Sequence, residues 1–327
     1  MHKFKLCVIW LAVIVSSLCI CSCKSKSEPI ADSSLLLNTI ITITLYDSDN
    51  KDILDNCFKI CEDYENLLSR TKENSEIYRL NEAGSLSVSD DTLEVIKKGL
   101  YYSEISNGAF DITIEPVSSL WDFSSENPEI PDEAALSEAV SKVNYEDVII
   151  EGNTVSFKKD NMGIELGAIA KGYIADKIKE YLLSENVNSA TINLGGNVLC
   201  VGHKENAEPF RIGIQDPFES RNETYGVVDI DDKSVVTSGV YERHFVLNGI
   251  NYHNILNPQT GMPYDNGLVS VTIISKNSVD GDGLSTTCLA LGLEKGMELI
   301  NNIDDACGMF INSDNEVFYS NGFDPIN

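Results

Sequence analysis

The chain has 327 residues, enough for one large domain or two small ones, and carries 51 acidic against 24 basic residues for a net charge of −27. That surplus of acid argues against nucleic acid or an anionic membrane surface as partner. It also requires any phosphate-bearing ligand to meet a local cation, either a metal or a well-placed Lys or Arg.

The chain opens on a targeting segment. Lys3 and Lys5 form a positive start, and Leu6 to Ile20 is apolar but short for a membrane span. Ile20-Cys21-Ser22-Cys23, followed at once by Lys24-Ser25-Lys26-Ser27-Glu28, looks like a lipobox. The pattern predicts a lipoprotein signal peptide over 1–22, then a lipidated Cys23 and polar linker over 23–34, and one domain over 35–327. The protein is thereby expected on the outer side of a cell membrane, in a periplasm or at the cell exterior. Removing Lys3 and Lys5 leaves 22 basic against 51 acidic residues, or −29. Of the cysteines left, Cys57 and Cys61 are spaced for one helical face and core packing, and none has the neighbours a zinc site needs.

Taken in order, Leu35 to Tyr46 alternates as a strand, and Asp52 to Leu68 has an amphipathic helical face. Asp90 or Asp91 caps a helix that runs to Asn107 and stops at Gly108. Ala109 to Ile114 reads as extended. Pro131 and Asp132 open a helix to about Val143. Strands at Asp147–Glu151 and Thr154–Lys158 flank a Gly152-Asn153 hairpin turn. Around Glu165 the apolar residues read as the end of a buried strand, and from Lys171 the spacing turns helical. From Ala190 the pattern is mostly β: Thr191–Asn193, Val198–Gly202, Phe210–Gln215, Gly226–Ile230 and Val235–Ser238. A hairpin then pairs His244–Leu247 with Ile250–Ile255 around Asn248-Gly249. Val269–Ser275 is a strand, Asp282–Leu291 and Glu294–Asn302 are helices, and a hairpin across Ser313-Asp314-Asn315 closes the chain. The expected fold is α+β, a single domain of largely antiparallel sheet with packed helices.

Several segments can carry chemistry. Glu165-Leu166-Gly167-Ala168-Ile169-Ala170-Lys171-Gly172-Tyr173 sets an acid and a base around a tight turn into a helix, able to offer carbonyls to a metal and N–H groups to phosphate. Asp282 and Thr286 lie four apart at a helix start, so two hard oxygen donors share one face, suited to Mg²⁺; Asp282 can equally be that helix's N-cap. Gly108-Ala109-Phe110-Asp111 pairs an aromatic ring with an acid, as a flavin or adenine contact or as core plus turn. Asn193-Leu194-Gly195-Gly196-Asn197 allows close ligand approach or is simply a turn. His253 ends a strand, where it is a candidate proton carrier.

In order, these blocks, with Ser238-Gly239-Val240-Tyr241-Glu242-Arg243 and the stretch from His253 to Gly261, resemble the ApbE family of FAD:protein FMN transferases over about residues 36–320. The resemblance implies an ApbE-like, T-fold-related α+β fold, with FAD as substrate and Mg²⁺ as cofactor. The implied reaction moves FMN to a Ser or Thr hydroxyl of an acceptor protein and releases AMP. It implies metal ligation by the Ala168 carbonyl, Asp282 and Thr286. Flavin contacts are implied at Leu37, Thr71, Ala109, Phe110, Asp111, Glu165, Lys171 and Ile255, and catalytic positions at His253, Asn254 and Asp282.

This chain departs from the family pattern at Leu37-Asn38-Thr39, usually Met-Gly-Thr; at Thr71, usually Tyr; and at Glu165, usually Asp. At Asn254 the family has a histidine. Side chains alternate along a strand, so His253 faces the other way from Asn254. The hairpin register sets Arg243 opposite Asn254 and His244 opposite His253, leaving proton removal to His253, to water or to an acid. Two rival readings follow, an FAD pyrophosphatase that gives FMN and AMP, and a non-catalytic flavin-binding lipoprotein.

Overall fold

The computed structural model describes residues 28–204, 207–220 and 223–324. The expected signal segment and Cys23 lie outside the described residues. The frame is an eight-stranded sheet, ordered β1-β2-β6-β7-β10-β13-β14-β15, with antiparallel pairing between all neighbours. Its strands are β1 (Ile30–Leu36), β2 (Thr39–Leu45), β6 (Ser189–Leu194), β7 (Asn197–Gly202), β10 (Ser234–Gly239), β13 (Leu268–Ser275), β14 (Ala306–Asn312) and β15 (Val317–Tyr319). The smaller sheets are β3 (Ser85–Ser87) with β5 (Thr154–Phe157) and β4 (Val148–Glu151); β8 (Phe210–Gln215) with β9 (Thr224–Ile230); and β11 (His244–Leu247) with β12 (Ile250–His253). The helices are α1 (Lys51–Leu68), α2 (Glu76–Ala83), α3 (Asp90–Ile105), α4 (Glu115–Ser118), α5 (Glu133–Val140), α6 (Ala170–Ser184), α7 (Ser278–Leu291) and α8 (Leu293–Asn301).

The expected single strand over 35–46 is a hairpin. Leu36 pairs with Thr39, and Leu37 and Asn38 turn with φ of 54° and 56°, the left-handed pair that a two-residue hairpin needs. Part of the expected linker is therefore not a tether, because Ile30–Ser34 are paired in β1. Ile41, Ile43 and Leu45 of β2 point inward against α1, α6 and the inner residues of β6. Cys57 and Cys61 pack there, and burial pushes both thiols up to about 12.

Residues 109–114 are a turn, not a strand. Only Ile114 bridges, in parallel, to Gly163, and that single bridge is also the whole of the expected strand before Glu165. Ser89, rather than Asp90 or Asp91, caps α3 through the Thr92 N–H. Helix α2, an addition to the elements expected from the sequence, has Ser75 as its N-cap and Gly84, at φ 70°, as its end.

Helix α7 starts at Ser278, four residues before the expected Asp282. It is buried nearly all round, and its glycines are the reason it fits. A methyl on Gly281 would lie 2.8 Å from Val236 of β10, and one on Gly283 would lie 2.3 Å from the Tyr102 ring of α3. Small residues let strand and ring approach the helix axis, which outweighs their poor helix propensity.

Candidate active site

The two helices that carry the central motifs cap each other. The first N–H groups of any helix lack intrahelical partners. In α6 one of them, Gly172 N–H, donates to Asp282 Oδ2 of α7 at 2.9 Å. In α7 the Ser278 and Val279 N–H groups donate to the Asp176 carboxylate of α6 at 2.8 and 2.9 Å. Asn277, the residue at the N-cap position of α7, makes no side-chain cap bond. Asp282 is thus a cap, but of the neighbouring helix and not of its own. Gly172 is the point of closest approach, since a Cβ there would fall 2.3 Å from the Ser278 carbonyl oxygen.

Asp282 is 3% exposed. Lys171 Nζ stands 3.5 Å from its Oδ1, longer than a charge-assisted hydrogen bond. Oδ1 therefore keeps room for another partner. One turn on, the Thr286 hydroxyl lies 2.9 Å from Ser238 Oγ of β10, which also lies 2.8 Å from Ser285 Oγ. Ala168 sits in the turn just before α6, and among the described residues no backbone N–H is bonded to its carbonyl. One buried carboxylate, one hydroxyl and one undonated carbonyl are hard oxygen donors of the kind Mg²⁺ selects, so the residues present fit such an ion. Among the described residues no cluster of three or more His, Cys, Asp or Glu forms a metal cage, and this donor set needs only one acid.

A second group surrounds Glu165. Arg70 Nε lies 3.2 Å from Glu165 Oε2, and the Ser118 hydroxyl donates to the same oxygen. The other arm of Arg70 donates to Ser119 Oγ at 2.9 Å and lies 3.7 Å from Glu115. Thr71 is exposed beside this cluster, its hydroxyl 3.2 Å from that of Ser69. Arg70, Ser118 and Ser119 were not found from sequence, where each is an unremarkable polar residue far from Glu165.

The Gly108–Asp111 block resolves toward structure. Phe110 is 6% exposed and packs edge-on against Tyr102 in the main core. Asp111 is buried with its oxygens spent. Oδ1 accepts from the Thr113 N–H and hydroxyl, and Oδ2 accepts from the Tyr145 N–H. Burial still raises its carboxyl above the usual range. Of this block, Gly108 and Ala109 keep some exposure, and the Ala109 carbonyl accepts from the Tyr264 hydroxyl at 2.8 Å.

His253 turns inward, 4% exposed, with both ring nitrogens engaged. Nδ1 accepts from the Ile255 N–H at 3.3 Å, so Nε2 carries the proton and donates to the Tyr264 carbonyl at 2.9 Å. Burial lowers its pKa below the ordinary histidine value. That leaves no free nitrogen to take a proton, contrary to the role expected of it. The anticipated register is present: His244 pairs with His253, and the Asn254 N–H bonds to the Arg243 carbonyl. Asn254 is exposed on the opposite side. The Ile255 side chain packs against the main core. Leu37 sits in the β1–β2 turn, where Thr39 meets Gly195 so closely that a Cβ on that glycine would overlap it. From there Asn197 Oδ1 accepts from Ser278 Oγ at 2.6 Å, tying the glycine turn to the start of α7.

This architecture and motif placement match one class of solved structure, the flavin transferases. The flavin transferase ApbE from Vibrio cholerae superimposes with a TM-score of 0.82 at 27% identity, covering 92% of this chain and 99% of that one. The ApbE protein from Thermotoga maritima gives 0.83 at 28%, covering 90% and 97%. The ApbE family model matches residues 37–311. FAD:protein FMN transferases from Klebsiella pneumoniae (34% identical, 88% of this chain and 90% of that one) and Treponema pallidum (31%, 97% and 94%) are similar along nearly their whole length. The chain belongs to the ApbE family.

Proposed function

We propose that this protein is a Mg²⁺-dependent FAD:protein FMN transferase. The acceptor hydroxyl oxygen forms a bond to the FMN phosphorus, the P–O bond to the AMP phosphate breaks, and AMP leaves with the bridging oxygen. The observation that carries the reading is the junction of α6 and α7, where the Asp282 carboxylate accepts from the Gly172 N–H and faces Lys171. Asp282, Thr286 and Ala168 would hold the metal, which supplies charge neutralisation at the diphosphate. Lys171 brings the fixed cation that so acidic a protein must provide locally. Glu165, oriented by Arg70 and Ser118, and the Ala109 turn line the flavin side.

With His253 engaged on both nitrogens and Asn254 without basicity, the acceptor proton passes to water or to an acid. That arrangement is also what keeps hydrolysis, with water as nucleophile, as the second reading. We further propose that the acceptor residue is a Ser or Thr and that Cys23 carries a lipid anchor outside the cytoplasmic membrane; the lipobox pattern supports the anchor.

Incubating the protein with FAD, Mg²⁺ and a flavin-accepting protein should yield a fluorescent covalent adduct and one AMP per adduct. AMP without acceptor would establish the pyrophosphatase instead. A yellow protein that never turns over FAD would leave only flavin binding.

A further inference from the structure

The hydroxyls around Thr286 form a chain whose direction is fixed at one end. Ser285 Oγ lies 3.0 Å from the Asp282 carbonyl oxygen, and a carbonyl only accepts, so for all three contacts of the chain to be hydrogen bonds together the single Ser285 proton points there. Ser285 is fully buried, and its oxygen lies 2.8 Å from Ser238 Oγ. With its own proton spent, Ser285 accepts from Ser238. Ser238 has then given its only proton, so in the 2.9 Å contact with Thr286 it is the acceptor and Thr286 the donor. The order is Thr286 to Ser238 to Ser285 to the Asp282 carbonyl.

We infer that Ser238 is a positioning residue that draws the Thr286 proton into the protein, so that the Thr286 oxygen presents lone pairs on the side of the Asp282 carboxylate. A cation needs lone pairs and is repelled by a hydroxyl proton, so the relay decides whether Thr286 is a ligand or an obstacle. Groups that orient ligands from behind are a general requirement of metal sites. The inference rests on the proposed metal site and adds to it the reason that a serine stands at position 238 of β10, on the strand facing α7. Reversal is the failure mode. If Ser238 lost its acceptor at Ser285, its proton would turn to the Thr286 oxygen and occupy a lone pair.

The test is Mn²⁺ binding to the full-length protein, followed through the loss of the aqueous Mn²⁺ resonance signal, with thermal unfolding as a check on each variant. Asp282→Ala defines which sites belong to this centre. Ser238→Ala and Ser285→Ala should each weaken those sites on the order of tenfold, the usual scale for an outer partner. Ser238→Thr, which keeps the hydroxyl, should restore wild-type affinity. Ser285→Ala carries the test by itself if Ser238→Ala fails to fold, because it leaves Ser238 and Thr286 in place. Wild-type affinity in both alanine variants, with loss in Asp282→Ala, would overturn the relay and leave the metal site standing. Equal loss in Ser238→Thr and Ser238→Ala would overturn it too. Wild-type binding by Asp282→Ala would remove the metal site and the relay together.

Discussion

The Asp282 carboxylate accepts a hydrogen bond from the backbone N–H of Gly172, 110 residues earlier in the chain, at 2.9 Å. With Asp176 answering from α6 to the first N–H groups of α7, each helix lends the other a cap. A carboxylate at a helix start is favoured by the helix dipole as well as by the hydrogen bond. Asp282 is thereby held before any ligand arrives, which is the condition for a site that costs little to organise on binding.

Gly172→Ala tests that junction. The added methyl would meet the backbone of Ser278 and Val279 at 2.3 and 2.6 Å, and backbone cannot swing aside. Overpacking of this kind costs about 1–3 kcal/mol. The melting temperature should fall, and AMP release from FAD should fall with it as α6 and α7 part. An unchanged melting temperature would show that the helices do not touch there.

His253 should govern acid stability, not turnover. Its folded pKa lies below the unfolded value because burial disfavours the imidazolium, so the unfolded chain binds more protons as the pH drops below about 6.5. Stability is therefore lost as the pH falls through that range. Urea midpoints at pH 7.5 and 5.5 should differ more for the wild type than for His253→Gln. Equal differences would mean that His253 is already charged in the fold, with its hydrogen bond from Ile255 broken.

Arg70→Ala should raise the FAD concentration needed for half-maximal rate. The Arg70–Glu165 pair is part-exposed, so its worth is about 1 kcal/mol, or roughly fivefold. Arg70→Lys should rescue poorly, because one ammonium cannot reach Glu165 and Ser119 through two separate arms. Michaelis curves on the two variants decide it, and a fall in maximal rate without a change in half-saturation would place Arg70 elsewhere in the mechanism.

Asp111→Ala should damage the fold more than flavin affinity. It strips acceptors from the buried Thr113 N–H and hydroxyl and from the Tyr145 N–H, and each stranded donor costs about 1–3 kcal/mol. Chemical denaturation should show a large loss of stability. If the variant were stable but flavin binding failed, Asp111 would be a ligand-facing residue after all.

The β11–β12 hairpin was legible because Asn248-Gly249 is a local signal. A two-residue turn fixes register, and register alone set His244 against His253. The same turn geometry at Leu37-Asn38 went unseen, because leucine at positive φ is not a turn signature and the flanking residues continue to alternate. The start of α7 was misplaced for the opposite reason. Its glycines look like loop from the sequence, and only Tyr102, Val236 and the Asp176 cap explain why they are helix.

Ala168 entered as a metal-ligand candidate only through the family resemblance; by itself the sequence determined the α+β class, the ordered motifs and the pairing of Asp282 with Thr286 as hard oxygen donors. Those follow from residue type and short-range spacing, which the chain states locally. The tertiary structure alone decided that Asp282 caps α6, that Arg70 and Ser118 grip Glu165, and that His253 spends both nitrogens on its neighbours. Each of these depends on which distant groups compete for the same lone pair or proton, and that competition exists only once packing has brought them within about 3 Å of one another.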